Sequence, residues 1–267
     1  MLALAAGGAP RASAQRVRLE YRPHAGDTLR LVLDQRTELR ARRLQHDTAV
    51  ASSSTTSTLR IYSRVIVEST DSTGADVASV TDSVALGSND RHQAALSAQI
   101  QRALAGYTLR LRMARDGSTR PLDPPTGASP LPVTAPLSPS TLPPGPVRVG
   151  DRWHGVLPVP PGGPFGPSAD GALAATYRLD SLASGGRVAW ISVTGAFVPQ
   201  ADGDTAAGRV TGWVRGTLRL DRRRGWLTDS RFTIAMRSRV PADPAAATGP
   251  MEFEMRISQH LHAMDKQ

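Results

Sequence analysis

The chain has 267 residues, of which 40% are hydrophobic, 21% charged and 4% aromatic, with no cysteine. That length allows one large β domain or two smaller ones, and the near-average composition excludes collagen-like, coiled-coil and wholly disordered classes. Without cysteine there are no disulfides, thiolate metal sites, cysteine nucleophiles or iron–sulfur clusters, and no apolar run approaches the ~20 residues of a membrane-spanning helix.

The net charge of +9 and the pI near 11.1 would ordinarily raise nucleic acid as a partner. Lys266 is the only lysine, however, and alanine, glycine and proline are abundant. That is the pattern of a GC-rich coding sequence, so the arginines say little about phosphate recognition. Nucleic acid is not an expected partner.

In chain order, Met1 to Ala6 is apolar and leads through Gly7, Gly8 and Pro10 to Ala12-Ser13-Ala14. This small-x-small site predicts a signal peptide remnant over residues 1–14, with its true start upstream, in preference to an alanine-rich tail, and an exported, periplasmic or otherwise extracytoplasmic protein. Strand signals then dominate. Leu29, Leu31 and Leu33 alternate with polar neighbours, as do Leu59, Ile61, Val65 and Val67, then Leu109, Leu111 and Met113. Phe232, Ile234 and Met236 repeat the pattern. In the last segment Met251, Phe253, Met255 and Ile257 share one face, with Glu252, Glu254, Arg256, His260 and His262 on the other. Such alternation predicts a mainly β fold of antiparallel sheet with one wet face.

One helix is predicted over residues 90–105, capped by Ser88 or Asn89 and ended by Gly106. Leu96, Ile100 and Leu104 form its apolar stripe, and it is expected to pack across a sheet as a cover. Residues 121–148 are rich in proline, serine and threonine and predict an extended linker. The linker divides a first β unit, 15–120, from a second, 149–267. The two are similar: Gly26-Asp27 opens one and Gly150-Asp151 the other. Thr108-Leu109-Arg110-Leu111 in the first is matched by Thr217-Leu218-Arg219-Leu220 in the second. An internal repeat of two curved-sheet or half-barrel units is the economical expectation.

Leu142-Pro143-Pro144 with Val149-Gly150-Asp151-Arg152-Trp153, followed by Gly216-Thr217-Leu218-Arg219-Leu220-Asp221, resembles uncharacterised exported bacterial proteins, known as domains of unknown function. The resemblance spans most of the mature chain and implies an envelope location and a β-rich fold. At the level of fold alone, a curved antiparallel sheet with a covering helix is similar to periplasmic lipoprotein carriers.

Catalytic signatures are missing: there is no P-loop, dinucleotide fingerprint or G-x-S-x-G elbow. No catalytic residue and no cofactor is expected. His260 and His262 are the weak candidates for metal ligands, since residues two apart on a strand point the same way, but a third ligand must come from elsewhere. A solvated strand face is the preferred reading. Asp202 and Asp204 lie in a short loop that lacks the ligand count of a calcium site.

Arg222, Arg223 and Arg224 are expected to project from a hairpin turn between Leu220 and Trp226. Trp213 falls on the polar side of its strand between Arg209 and Arg215, a spacing that suits cation–π contacts and an anionic or partner-docking surface. The sequence therefore points to a non-catalytic envelope protein that binds a lipid or other apolar ligand beneath Leu96, Ile100 and Leu104. The alternative is an accessory or structural subunit docked on a membrane-protein assembly.

Overall fold

The computed structural model describes residues 16–45, 48–123, 142–158, 172–198, 210–240 and 249–264, with residues 91–96, 157, 158, 172 and 198 described by backbone alone. The signal-peptide region, most of the proline-rich linker and the loop of Asp202 and Asp204 lie outside them. In order come β1 (Thr28–Gln45), β2 (Thr48–Thr70), β3 (Gly74–Ser88), α1 (Arg91–Leu104), β4 (Thr108–Ala114) and β5 (Thr119–Pro121). Then follow β6 (Arg152–Pro158), β7 (Ala172–Ala183), β8 (Val188–Val198), β9 (Val210–Asp221), β10 (Trp226–Val240) and β11 (Met251–Ala263). The fold is mainly β and antiparallel, as the alternation predicts.

All eleven strands form one open sheet, ordered β5-β4-β3-β2-β1-β11-β10-β9-β8-β7-β6. Each half is a meander, and the halves join where β1 pairs with β11, from Leu31 opposite Ala263 to Arg43 opposite Met251. The two openings anticipated from Gly26-Asp27 and Gly150-Asp151 adopt the same turn. Asp27 Oδ2 accepts from the His24 amide at 2.8 Å, and Asp151 Oδ2 accepts from the Arg148 amide at 2.8 Å. Each turn is also tied by two backbone bonds to a strand, at Val67 and at Leu179 respectively.

A period of two gives the sheet two chemically different faces. Register carries one inner row from Val77 and Leu111 through Val67 and Val65 to Leu29, and others across Leu218, Ile191 and Leu179. These side chains belong to a single buried cluster that draws on both halves of the sheet. The segment Val17–Tyr21 completes it. Val17 bridges Val147, the Tyr21 amide donates to the Arg115 carbonyl, and the Arg22 amide donates to the Gly225 carbonyl. The segment thereby ties the end of β4 to the β9–β10 turn, and the two halves share one core.

Stacked Trp153 and Tyr177, with centroids 5.7 Å apart, and edge-on Tyr21 and Trp226 add aromatic packing there.

Helix α1 departs from expectation. It packs against β3 alone rather than across the sheet. The register explains this: β4 pairs with β3 only as far as Val80 opposite Thr108, which leaves the end of β3 paired to β2 but without a strand on its other edge. The helix takes that place, and Gln101 Nε2 donates to the Leu86 carbonyl at 3.5 Å. Covering an exposed strand edge is a standard protection against unwanted pairing.

The outer face carries the charge. Arg110 donates to Glu68 at 2.7 Å, Arg64 to Asp82 at 2.8 Å, and Arg237 to Glu252 at 2.8 Å. Arg112 bridges Asp71 and Asp76, so β4 is clamped to the β2–β3 turn. The Arg112 guanidinium, helped by the Thr73 hydroxyl and amide, holds the Asp71 carboxyl well below the usual carboxylate range.

Two outcomes test this account. Gly225 sits at φ +66°, and a Cβ there would meet Arg22 backbone at 2.3 Å. Gly225→Ala should therefore cost about 1–3 kcal/mol, whereas Gly145→Ala, with nothing within 4 Å, should stay within about 0.5 kcal/mol in urea titrations. For Asp71 the lowered native pKa means stability present above the unfolded value near 4 and lost as pH falls through the native one. The difference in urea midpoint between the wild type and Asp71→Asn should be constant near neutrality and shrink steadily below about pH 4. A difference that holds constant into strong acid would overturn the clamp.

Candidate functional site

A trough of about 1190 Å³ crosses six adjacent strands, from β3 to β9, and is lined by three consecutive residues of each. The first and third of each three, such as Asp34 and Arg36, Thr58 and Arg60, or Arg231 and Thr233, belong to the outer face, so the trough runs along that face. On the inner face, register places Leu86, Leu59, Gln35, Gln259, Phe232 and Gly216 in one row. The row beneath it holds buried Leu33, Ile61 and Leu261. Above it come Ile257 and Ile234, then Leu39, Met255 and Met236, all buried or half-buried. Flexible thioethers in such a stripe adapt to irregular apolar shapes.

Beside Phe232 in this row β9 has no side chain. A Cβ on Gly216 would lie 2.4 Å from the Phe232 ring, so the ring lies over the glycine backbone.

Charge is absent from this inner-face row. Along the described strands, alternation puts Asp34, Arg36, Arg60, Arg215, Arg231 and His260 on the outer face, each beside an inner-row residue. On the outer face Asp34 pairs with Arg60 and His260 with Asp229. Arg43, at the tip of β1, is the one charged residue whose register falls on the inner face among the described strands.

Of the residues anticipated from sequence, Leu104 is buried and Ile100 half-buried against β3, and the side chain of Leu96 lies outside the described set. Among the described residues, none from α1 lines the trough. His260 and His262 do share the outer face, with ring centroids 4.7 Å apart, and His260 Nε2 meets Asp229 Oδ2 at 2.8 Å. Among the described residues no group of three or more His, Cys, Asp or Glu side chains is placed to hold a metal. Arg209 lies outside the described residues.

Trp213 is 38% exposed, and the Arg215 guanidinium stands 5.2 Å from its ring centroid. A second such pair escaped the sequence reading: Arg219 stands 5.9 Å over Trp190, itself 39% exposed. Its signal was distributed over two strands, because Trp190 and Arg219 meet only through the β8–β9 register. Gln35 and Gln259 were equally legible by parity, since each continues an apolar inner row by steps of two.

The three-arginine turn needs correction. Arg223 and Arg224 are exposed, and their amides donate to Asp221 Oδ1 at 3.0 Å. Arg222 turns inward: its Nη1 donates to the Gly186 carbonyl of the β7–β8 turn, and its Nε is buried without a partner among the described residues. The reason is proximity of two hairpin ends on neighbouring strand pairs, where a guanidinium fills the gap. Arg222→Ser should consequently cost about 1–3 kcal/mol, while Arg223→Ser and Arg224→Ser should each stay within about 0.5 kcal/mol. Equal stability of all three variants in thermal and urea unfolding would remove Arg222 from its structural role.

No helix among the described residues is long and apolar enough to cross a membrane. No protein-family model matches the chain, and no curated protein compared with it is significantly similar.

Proposed function

We propose that the chain is an exported, non-catalytic envelope protein that carries or sequesters an apolar ligand, such as a lipid acyl chain, on the apolar inner face of its sheet. The observation that carries the reading is the segregation of charge. Alternating residues give an inner face of leucine, phenylalanine, isoleucine and methionine, while neighbouring arginines and acids face outward. Ala12-Ser13-Ala14 supports export as a signal-peptidase site.

Native mass spectrometry of protein isolated from its own host should reveal bound lipid. An environment-sensitive naphthylamine dye should also bind delipidated protein and be displaced by acyl compounds. Leu59→Glu, which places a charge on the inner face, should weaken dye binding about tenfold or more. A clean unliganded mass together with no dye binding would overturn the reading.

A second reading, as an accessory subunit docked on a membrane-protein assembly, draws on the outer face of β8 and β9. Exposed aromatics topped by guanidiniums are common at interfaces. On this reading the protein copurifies with a partner from detergent-solubilised host membranes, and Trp190→Ala with Trp213→Ala releases it. Quantitative recovery of wild type as a free soluble monomer would exclude docking.

A further inference from the structure

We infer that the outer-face trough binds an acidic polysaccharide, an extended chain of uronate sugars laid across the strands. The inference is independent of the carrier reading, which concerns the opposite face of the sheet. The trough crosses six strands, so at about 4.8 Å between neighbours it is about 24 Å long. That length suits a polymer better than a compact ligand. One strand spacing is also close to the length of a pyranose unit, so a glycan crossing the sheet meets each strand with one sugar.

Register sets two outer rows along the trough. One runs Gly87, Thr58, Arg36, Ser258, Thr233 and Arg215. The other carries Arg60, Asp34, His260 and Arg231. Short side chains between the arginines of the first row keep its floor low. The hydroxyls of Thr58, Thr233 and Ser258 have no side-chain partner among the described residues, and each can give and accept a hydrogen bond, as sugar hydroxyls do.

Four arginines line the trough against a single carboxylate, Asp34. Arg215 rests on the Trp213 ring and has no acidic partner among the described residues. Arg36 and Arg60 meet Glu38 and Asp34 through Nε, and Arg231 approaches Asp229 the same way at 3.6 Å. Each fork therefore keeps Nη donors for a ligand. These three side chains are 59%, 53% and 67% exposed, where an ion pair is worth little, so a ligand carboxylate joins them without breaking a strong contact. A guanidinium takes a carboxylate in two parallel hydrogen bonds. Nucleic acid fits less well, because its bases need exposed rings to stack on. In the lining Phe232 is buried and His260 is held by Asp229.

The test is fluorescence anisotropy of end-labelled hexamannuronate and hexagalacturonate at about 0.15 M salt. At least one uronate should bind. Its methyl ester, which keeps the sugar backbone and removes the charge, and single-stranded DNA of matching charge should compete about tenfold or more weakly. Arg36→Gln with Arg215→Gln should weaken uronate binding about tenfold or more. Arg223→Ser with Arg224→Ser removes the same charge from an exposed turn and should leave binding within about twofold, with circular dichroism confirming that each variant is folded. No binding of either uronate, equal binding of the ester or the DNA, or equal loss in both double variants would overturn the inference. None of these outcomes touches the carrier reading, which the dye on the inner face tests separately.

Discussion

The ladder between β1 and β11 is the constraint on which the rest depends. These strands come from opposite ends of the described chain, yet they pair at the centre of the sheet over thirteen registered positions. Nothing local holds them together, so the register must be set by side chains. Leu33 against Leu261 and Leu39 against Met255 face inward, while Arg42 reaches Glu252 and Glu254 outside. A slip of one residue would drive a row of charges into the core and expose its leucines. The faces enforce the register, and the register joins the halves.

The same ladder explains why the core is lopsided. At one end of the sheet the inner face is filled by Val17, Leu19 and Tyr21, together with Leu142 and Val147 from the far side of the linker. These pieces are anchored to both halves by backbone hydrogen bonds. Farther along β1 and β11 the inner side chains of Leu39, Met255 and Ile257 are half-buried. Apolar area buried against the terminal segments therefore concentrates stability at one end of the sheet.

Much of this architecture was legible in the sequence, for a physical reason. A half-buried strand writes its orientation into alternate residues, so Met251, Phe253, Met255 and Ile257 could be assigned to one face with no structure at all. The turns at Asp71 and Asp116, and the helix stop at Gly106, follow from local backbone chemistry. What eluded the sequence depends on strand order. Pairing of β1 with β11 is a contact between distant segments, and it alone turns Gln35 and Gln259 into neighbours. The Arg219–Trp190 contact likewise needs the β8–β9 register. Amphipathicity told that α1 buries a stripe, but not what it buries it against. An unpaired edge of β3 outcompeted the sheet face. The inward turn of Arg222 has the same origin, since its acceptor sits on a different hairpin.

Arginine abundance has a structural consequence apart from any partner. On the outer face many guanidiniums sit between two acids from neighbouring strands: Arg237 between Glu252 and Glu254, Arg112 between Asp71 and Asp76. A planar fork suits such two-sided contact better than a compact ammonium does. Exposed pairs of this kind each add little to stability. Their larger effect is on register, because a shifted strand would bring arginine opposite arginine. Arg215 and Arg219 stand apart from that pattern, resting on tryptophan rings in the same outer face. The outer surface thus holds two kinds of arginine, one matched to acids across the ladder and one matched to aromatics. The inner surface is kept neutral by the same alternation that sorts them.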